Sequence, residues 1–129
     1  MATANTVTTL KARENFAKAH AGDIALPDVT QIAFGTGGHD TDGTPIAPDN
    51  SQTSLNTEVI KKDINSYSFP DNQTLEIIGD VSDDDIGTGD DISECGLYNN
   101  NDELVAIKTF PPKTMSEDMR IEVTWQELF

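Results

Sequence analysis

Apolar and polar residues alternate most regularly near the end of the chain. Met119, Ile121, Val123 and Trp125 fall on one side of an extended segment, and Arg120, Glu122, Thr124 and Gln126 on the other. That period of two predicts a half-buried β-strand. Leu75, Ile77 and Val81, two or four apart, predict one face of another strand. It is entered from Tyr67-Ser68-Phe69 through the turn residues Pro70-Asp71-Asn72-Gln73. Val29-Thr30-Gln31-Ile32-Ala33-Phe34 predicts a short strand after Pro27-Asp28. Residues 53–64 fit a helix or an extended segment: Glu58, Lys61 and Lys62 suit a helix surface, but extended is preferred because Val59-Ile60 runs into Asp63-Ile64-Asn65. Residues 94–106 read as a hairpin: a strand through Leu97-Tyr98, the polar turn Asn99-Asn100-Asn101-Asp102, and the strand Leu104-Val105-Ala106. Pro111-Pro112-Lys113 predicts a break after it.

Residues 8–21 are the best helix candidate. Thr8 or Thr9 caps it, Leu10, Phe16, Ala17 and Ala21 give an apolar face, and Gly22 ends it. Two segments carry few apolar anchors and read as surface loops, residues 35–50 and the acidic residues 80–91. Loops of that length are functional or mobile. No internal repeat or heptad pattern is present. The expected architecture is a single α+β domain over residues 1–129: a mainly antiparallel sheet or small sandwich with one N-terminal helix packed on it.

At 129 residues the chain is long enough to bury roughly two-thirds of its unfolded surface. Its formal net charge is −15. Such a field repels phosphates and anionic lipids, which argues against nucleic-acid or membrane-surface partners and steers the chain towards basic partners or divalent cations. The lone Cys95 has no partner for an internal disulfide and reads as a small buried hydrophobe. The start, Met1-Ala2-Thr3-Ala4-Asn5-Thr6, lacks the basic and apolar regions of a secretory leader, and no apolar run approaches the roughly 20 residues of a membrane span. The expectation is a chain made in a cytoplasm.

Few constellations suggest chemistry. Gly35-Thr36-Gly37-Gly38 lacks the Gly-Lys-Ser/Thr ending of a phosphate loop, so its glycines read as backbone geometry. Asp40-Thr41-Asp42-Gly43 and Asp83-Asp84-Asp85-Ile86-Gly87 are fragments of calcium loops without the twelve-residue ligand spacing. His20 and His39 sit in unrelated contexts, and no serine stands on a strand-to-helix elbow. Nothing argues for catalysis, and no cofactor or metal is implied. Glu94 is the odd charge. It precedes Gly96-Leu97-Tyr98 in an apolar strand, so its carboxylate is expected to be partly buried, hydrogen-bonded and structural.

The segment Glu94-x-Gly96-Leu97-Tyr98-Asn99 resembles the core motif of the phage tail-collar fibre family, the N-terminal attachment domains of tail fibres. Four further pieces resemble that family in the same order. They are the opening helix from Leu10 to Ala21-Gly22, Ile32-Ala33-Phe34-Gly35-Thr36-Gly37, Thr53-Ser54-Leu55-Asn56-Thr57-Glu58-Val59-Ile60-Lys61, and Leu104-Val105-Ala106-Ile107. Two departures stand out. The glycine usual in the family's hairpin turn is replaced by the Asn-rich run, whose residues tolerate the left-handed backbone such turns need. Family domains also usually open a long fibre, whereas this sequence stops at Phe129, which suggests a free-standing adaptor or a fibre carried by another chain.

The resemblance implies a structural subunit of a phage tail or phage-derived contractile particle, attaching a fibre to the baseplate. Its partners would be baseplate and fibre proteins, and its place the virion tail. The residues carrying the motif would be Gly35, Gly37, Glu58, Glu94, Gly96, Leu97 and Tyr98. It further implies a homotrimer. Trp125, Leu128 and Phe129, large apolar residues near the end of the sequence, are candidates for self-association or, almost equally, for docking onto the chain's own core, and the charge of −15 opposes trimer formation at low salt. Two rivals remain from the residues alone: a calcium-dependent carbohydrate-binding module using the two acidic loops, and a small carboxylate-dependent hydrolase.

Overall fold

A computed structural model describes residues 5–129; residues 1–4, part of the segment read for a leader, lie outside the described residues. Strand β1 (Thr6–Thr8) leads into helix α1 (Leu10–His20), followed by β2 (Val29–Gly35), β3 (Glu58–Asp63), β4 (Ser66–Asp71) and β5 (Thr74–Ser82). A single helical turn, α2 (Asp83–Ile86), precedes β6 (Asp91–Asn99), β7 (Leu104–Thr114) and β8 (Arg120–Leu128). The strands form two antiparallel sheets, one of five strands in the order β1-β7-β6-β2-β3 and one of three in the order β4-β5-β8. The chain is therefore sheet-rich as expected, with a second small helix that the sequence reading lacked.

One core joins the sheets. Ile32 and Phe34 of β2, Ile92, Cys95 and Leu97 of β6, Ile77 and Val81 of β5, and Ile121 and Trp125 of β8 form one buried cluster. A Cβ at Gly79 would stand 2.7 Å from Ile32 Cγ2, so the backbone of one sheet lies directly on the side chains of the other. The opposite face of the five-stranded sheet is buried too. Ala33, which alternates with Ile32 and Phe34, packs there with Leu55, Tyr98, Leu104 and Ile107. Leu55 belongs to the β2–β3 connection, so this long segment covers a sheet face. Between two buried faces, β6 is inaccessible from Ile92 to Asn99.

Three sequence expectations are corrected. Residues 80–91 are only in small part a loop. Asp80, Val81 and Ser82 complete β5 opposite Glu122, Ile121 and Arg120, and α2 follows at once. The pair Pro111-Pro112 does not break the chain. The β6–β7 register jumps from Glu94↔Thr109 to Ile92↔Lys113, so both prolines sit in a bulge that asks no ladder donor of them. On α1, Leu10 is half exposed and Ala17 and Ala21 are exposed, while Ala12 and Asn15 are buried and Phe16 packs partly against the core. The helix ends follow the sequence. Thr9 accepts from the Ala12 N–H at 3.2 Å, and Gly22, at φ +79°, takes the left-handed backbone just past the C-cap Ala21.

Candidate functional site

Three of the residues singled out for the motif, Gly35, Gly37 and Glu94, meet in one place. Glu94, midway along β6 and wholly buried, aims its carboxylate at the two ends of the β2–β3 connection. Oε2 accepts from the Gly37 N–H and the Thr57 N–H, each at 2.8 Å, and Oε1 accepts from the Asn56 N–H at 2.9 Å. The Asn56 side chain donates to the Gly37 carbonyl at 3.0 Å, and the Thr36 N–H to the Thr57 carbonyl at 3.0 Å. One buried carboxylate thus holds three backbone donors from two chain segments that carry no regular structure of their own. Charge-assisted bonds of this kind are roughly twice as strong as neutral ones.

The glycines make room for it. A Cβ on Gly37 would stand 2.8 Å from Glu94 Oε2 and 2.7 Å from Asn56 Cβ. One on Gly35 would stand 2.9 Å from Glu94 Cγ and overlap the Thr57 carbonyl oxygen, and one on Gly38 would overlap the Ser93 carbonyl. None of the three has positive φ, so it is close approach that excludes a side chain. Gly96 is similar: its Cβ would meet Leu104 Cδ1 at 2.7 Å and Leu55 Cδ2 at 3.0 Å.

Tyr98, two positions beyond Gly96, extends the arrangement towards the surface. Its hydroxyl donates to Glu58 Oε1 at 3.1 Å, and Lys61 Nζ lies 4.0 Å from its ring centroid while pairing with Asp102. Burial, followed by the neighbouring Glu58 charge, pushes the Tyr98 hydroxyl well above the usual phenol range. Leu97 points the other way, into the core between the sheets.

A family model, that of the phage tail-collar fibre protein, N-terminal, matches residues 1–121. The chain belongs to this family. Neither the curated proteins nor the solved structures gave a match. The family is one of structural tail-fibre proteins, which makes this tail-collar domain a component of a phage tail.

Within the tail-collar domain, the Glu94 carboxylate and its three backbone donors form a clasp that gathers Gly35, Gly37 and Glu94, with Glu58 and Tyr98 beside it and Gly96 and Leu97 on the same strand as Glu94. Trp125 lies elsewhere. Of the two places open to it, a self-association face or the chain's own core, it takes the core: it is 3% exposed, opposite Ile77 and with Lys108 Nζ 4.8 Å from its ring. Leu128 and Phe129 are exposed.

Several carboxylates of the acidic segments are taken up by nearby backbone donors or by a lysine. Asp40 Oδ1 accepts from the Asp42 and Thr44 N–H groups at 2.9 and 3.1 Å. Asp85 accepts from the Ser82 N–H at 2.9 Å and pairs with Lys62 at 2.8 Å, and Asp83 accepts from the Asp118 N–H at 3.0 Å. Among the described residues no group of three or more His, Cys, Asp or Glu is placed to hold a metal ion. His39 Nδ1 lies 2.7 Å from Ser93 Oγ, yet Ser93 is fully buried and already accepts from the Gly38 N–H, so it meets no substrate. Among the described residues no helix is long and apolar enough to cross a membrane.

Sequence reasoning missed the partners of Glu94, because backbone N–H groups have no residue identity. It also missed the network at the hairpin turn. Asn15 of α1 and Asn99 of β6 both donate to Glu103 Oε1 at 3.0 Å, and Asn99 Oδ1 accepts from the Asn101 and Glu103 N–H groups. Those bonds hold the Glu103 carboxyl below its usual range. The left-handed residue of this turn is Asp102, at φ 60°, not one of the asparagines.

Proposed function

We propose that this tail-collar domain attaches a receptor-binding fibre to the baseplate of a phage tail or phage-derived contractile particle, and that it does so as a homotrimer. The family match over residues 1–121 carries the reading. The mechanism is surface complementarity without turnover. Glu94 is spent inside the fold, where it fixes the cover over the five-stranded sheet, and that leaves the exterior for contact. The net charge of −15 suits a basic partner face and opposes premature self-association in dilute salt.

Particles assembled with and without this chain test the attachment. Baseplates should form in both and carry fibres only when it is present; fibres on particles that lack it would overturn the reading. Light scattering across salt concentrations tests the threefold state. A mass that stays that of one chain at high salt and high protein concentration removes intrinsic trimer formation and leaves assembly driven by the baseplate.

A further inference from the structure

A groove of about 950 Å³ opens between α1, the start of β2 and the β4–β5 hairpin. Phe16, Val29, Leu75 and Ile77 contribute apolar surface to it. Tyr67 and Phe69, two apart on β4 and therefore on one face of it, stand at the groove 65% exposed with their rings edge to face at 6.0 Å. Phe129, 72% exposed, meets Phe16 edge to face at 6.3 Å. β4 is an edge strand with every residue exposed. Aromatic side chains left in water beside an unpaired strand edge form a surface that gains by being covered.

The charge in the groove has one sign. Asp28, Asp63 and Glu127 line it and, among the described residues, no Lys, Arg or His does. Elsewhere several of the scarce cations are already paired: Lys62 with Asp80 and Asp85, Arg120 with Asp80 and Glu122, Lys61 with Asp102, Lys11 with Glu14 and Glu103, and Lys18 with Glu14. Glu127 is half-buried on β8 opposite Leu75, and among the described residues no ion pair or hydrogen bond reaches its carboxylate. A carboxylate held in an apolar wall without a counter-charge is electrostatically incomplete.

We infer that this groove docks an extended polypeptide segment of another tail protein, one carrying an Arg or Lys between apolar side chains. The apolar side chains cover Phe69 and Phe129 and the cation meets Glu127. The inference rests on the attachment reading for the identity of the partner, whereas the chemistry of the segment rests on the groove itself. A second copy of this chain is the poorer occupant, since it brings a net charge of −15 to an acidic groove.

The probe is a fluorescein-labelled peptide, Ser-Leu-Phe-Arg-Leu-Phe-Ser, against its counterpart with Glu in place of Arg, read by anisotropy with the full chain at low salt. The Arg peptide should bind about tenfold tighter than the Glu peptide, and Glu127→Gln and Phe69→Ser should each weaken it about fivefold or more. Asp84→Asn, an exposed acid on α2, should leave binding unchanged. Equal binding of the two peptides, or an Asp84→Asn loss equal to that of Glu127→Gln, overturns the inference. So does a wild-type oligomer in sedimentation that Phe69→Ser dissolves, which would assign the groove to a second copy. Particles separate the two readings. If wild type and the Phe69→Ser/Glu127→Gln double variant join particles equally, the groove falls and attachment stands. If wild type binds the Arg peptide but stays off particles, the groove's chemistry is supported and attachment falls.

Discussion

Replacing Glu94 separates a residue that holds the fold from a charge that merely occupies a strand. Glu94→Ala removes the acceptor of three backbone N–H groups, those of Gly37, Asn56 and Thr57, at a site with no solvent exposure. A buried donor left unpaired costs about 1–3 kcal/mol, and three lost together set a ceiling near 9. Water entering the vacated space relieves part of that, since Asn56 and Thr57 are themselves exposed residues. The expected loss is about 3–5 kcal/mol, in the range seen when one partner of a buried charged contact is deleted. Glu94→Gln is milder. Its carbonyl oxygen can occupy the position of Oε2 and keep two donors, but its NH₂ then faces the Asn56 N–H, donor against donor. One lost bond and a weaker neutral acceptor together cost about 1–3 kcal/mol.

Urea unfolding followed by the fluorescence of Trp125, the only tryptophan and a core residue, reads both values. For a chain of this size each kcal/mol moves the thermal midpoint by about 3–6 °C, so the alanine variant should melt at least about 10 °C early. Amide exchange adds the local signature. Protection at Gly37, Asn56 and Thr57 should fall further than protection in β8, because only the cover over the five-stranded sheet loses its tie. The order wild type, Gln, Ala is the essential outcome. An alanine variant melting within a degree of wild type would refute the clasp, and a glutamine variant as weak as alanine would show that the site needs both charged acceptor oxygens and that side-chain shape alone contributes nothing.

The strands were legible where a single periodicity governs them. Ile121, Val123 and Trp125 face inward because β8 has one buried face, and period two reports that directly. The same rule fails where burial is polar. The buried stripe of α1 contains Asn15, satisfied by Glu103 some ninety residues away in sequence, and no count of large apolar residues finds it. Charge misled in residues 80–82, where Asp80 lies on the outer face of β5 and pairs with Arg120 on the neighbouring strand. Proline misled at Pro111-Pro112, because a bulge removes the demand for ladder donors that makes proline a breaker. For the clasp, the sequence shows the acceptor and the glycines but not the donors, which become specific only through β-sheet register. The groove is less legible still. Phe16 lies on α1, Phe69 on β4 and Phe129 just past β8, and nothing local to any of them announces the others.

Two further outcomes follow from side-chain environments. Cys95 is fully buried, and burial pushes its thiol up to about 12, so a disulfide-exchange reagent at pH 8 should label it only as fast as the chain unfolds; rapid stoichiometric labelling of the native protein would contradict this core. Glu127 gives the more discriminating test. Burial raises its folded pKa above the ordinary 4.5, so folding disfavours its charged form. The resulting penalty is absent below the ordinary value, grows as pH rises, and is complete above the folded pKa. Glu127→Gln should therefore melt higher than wild type at pH 7, with the difference shrinking as pH falls through the folded pKa and vanishing near pH 4. Many other carboxyls titrate in the same window, so the quantity to follow is the difference between the two proteins, in which the shared groups cancel. A glutamine variant less stable than wild type at pH 7, or a difference flat across pH, would sink the argument. A purely structural carboxylate loses stability on neutralisation. One retained to meet a cationic partner gains stability and loses affinity, and only such a docking role moves the two measurements in opposite directions.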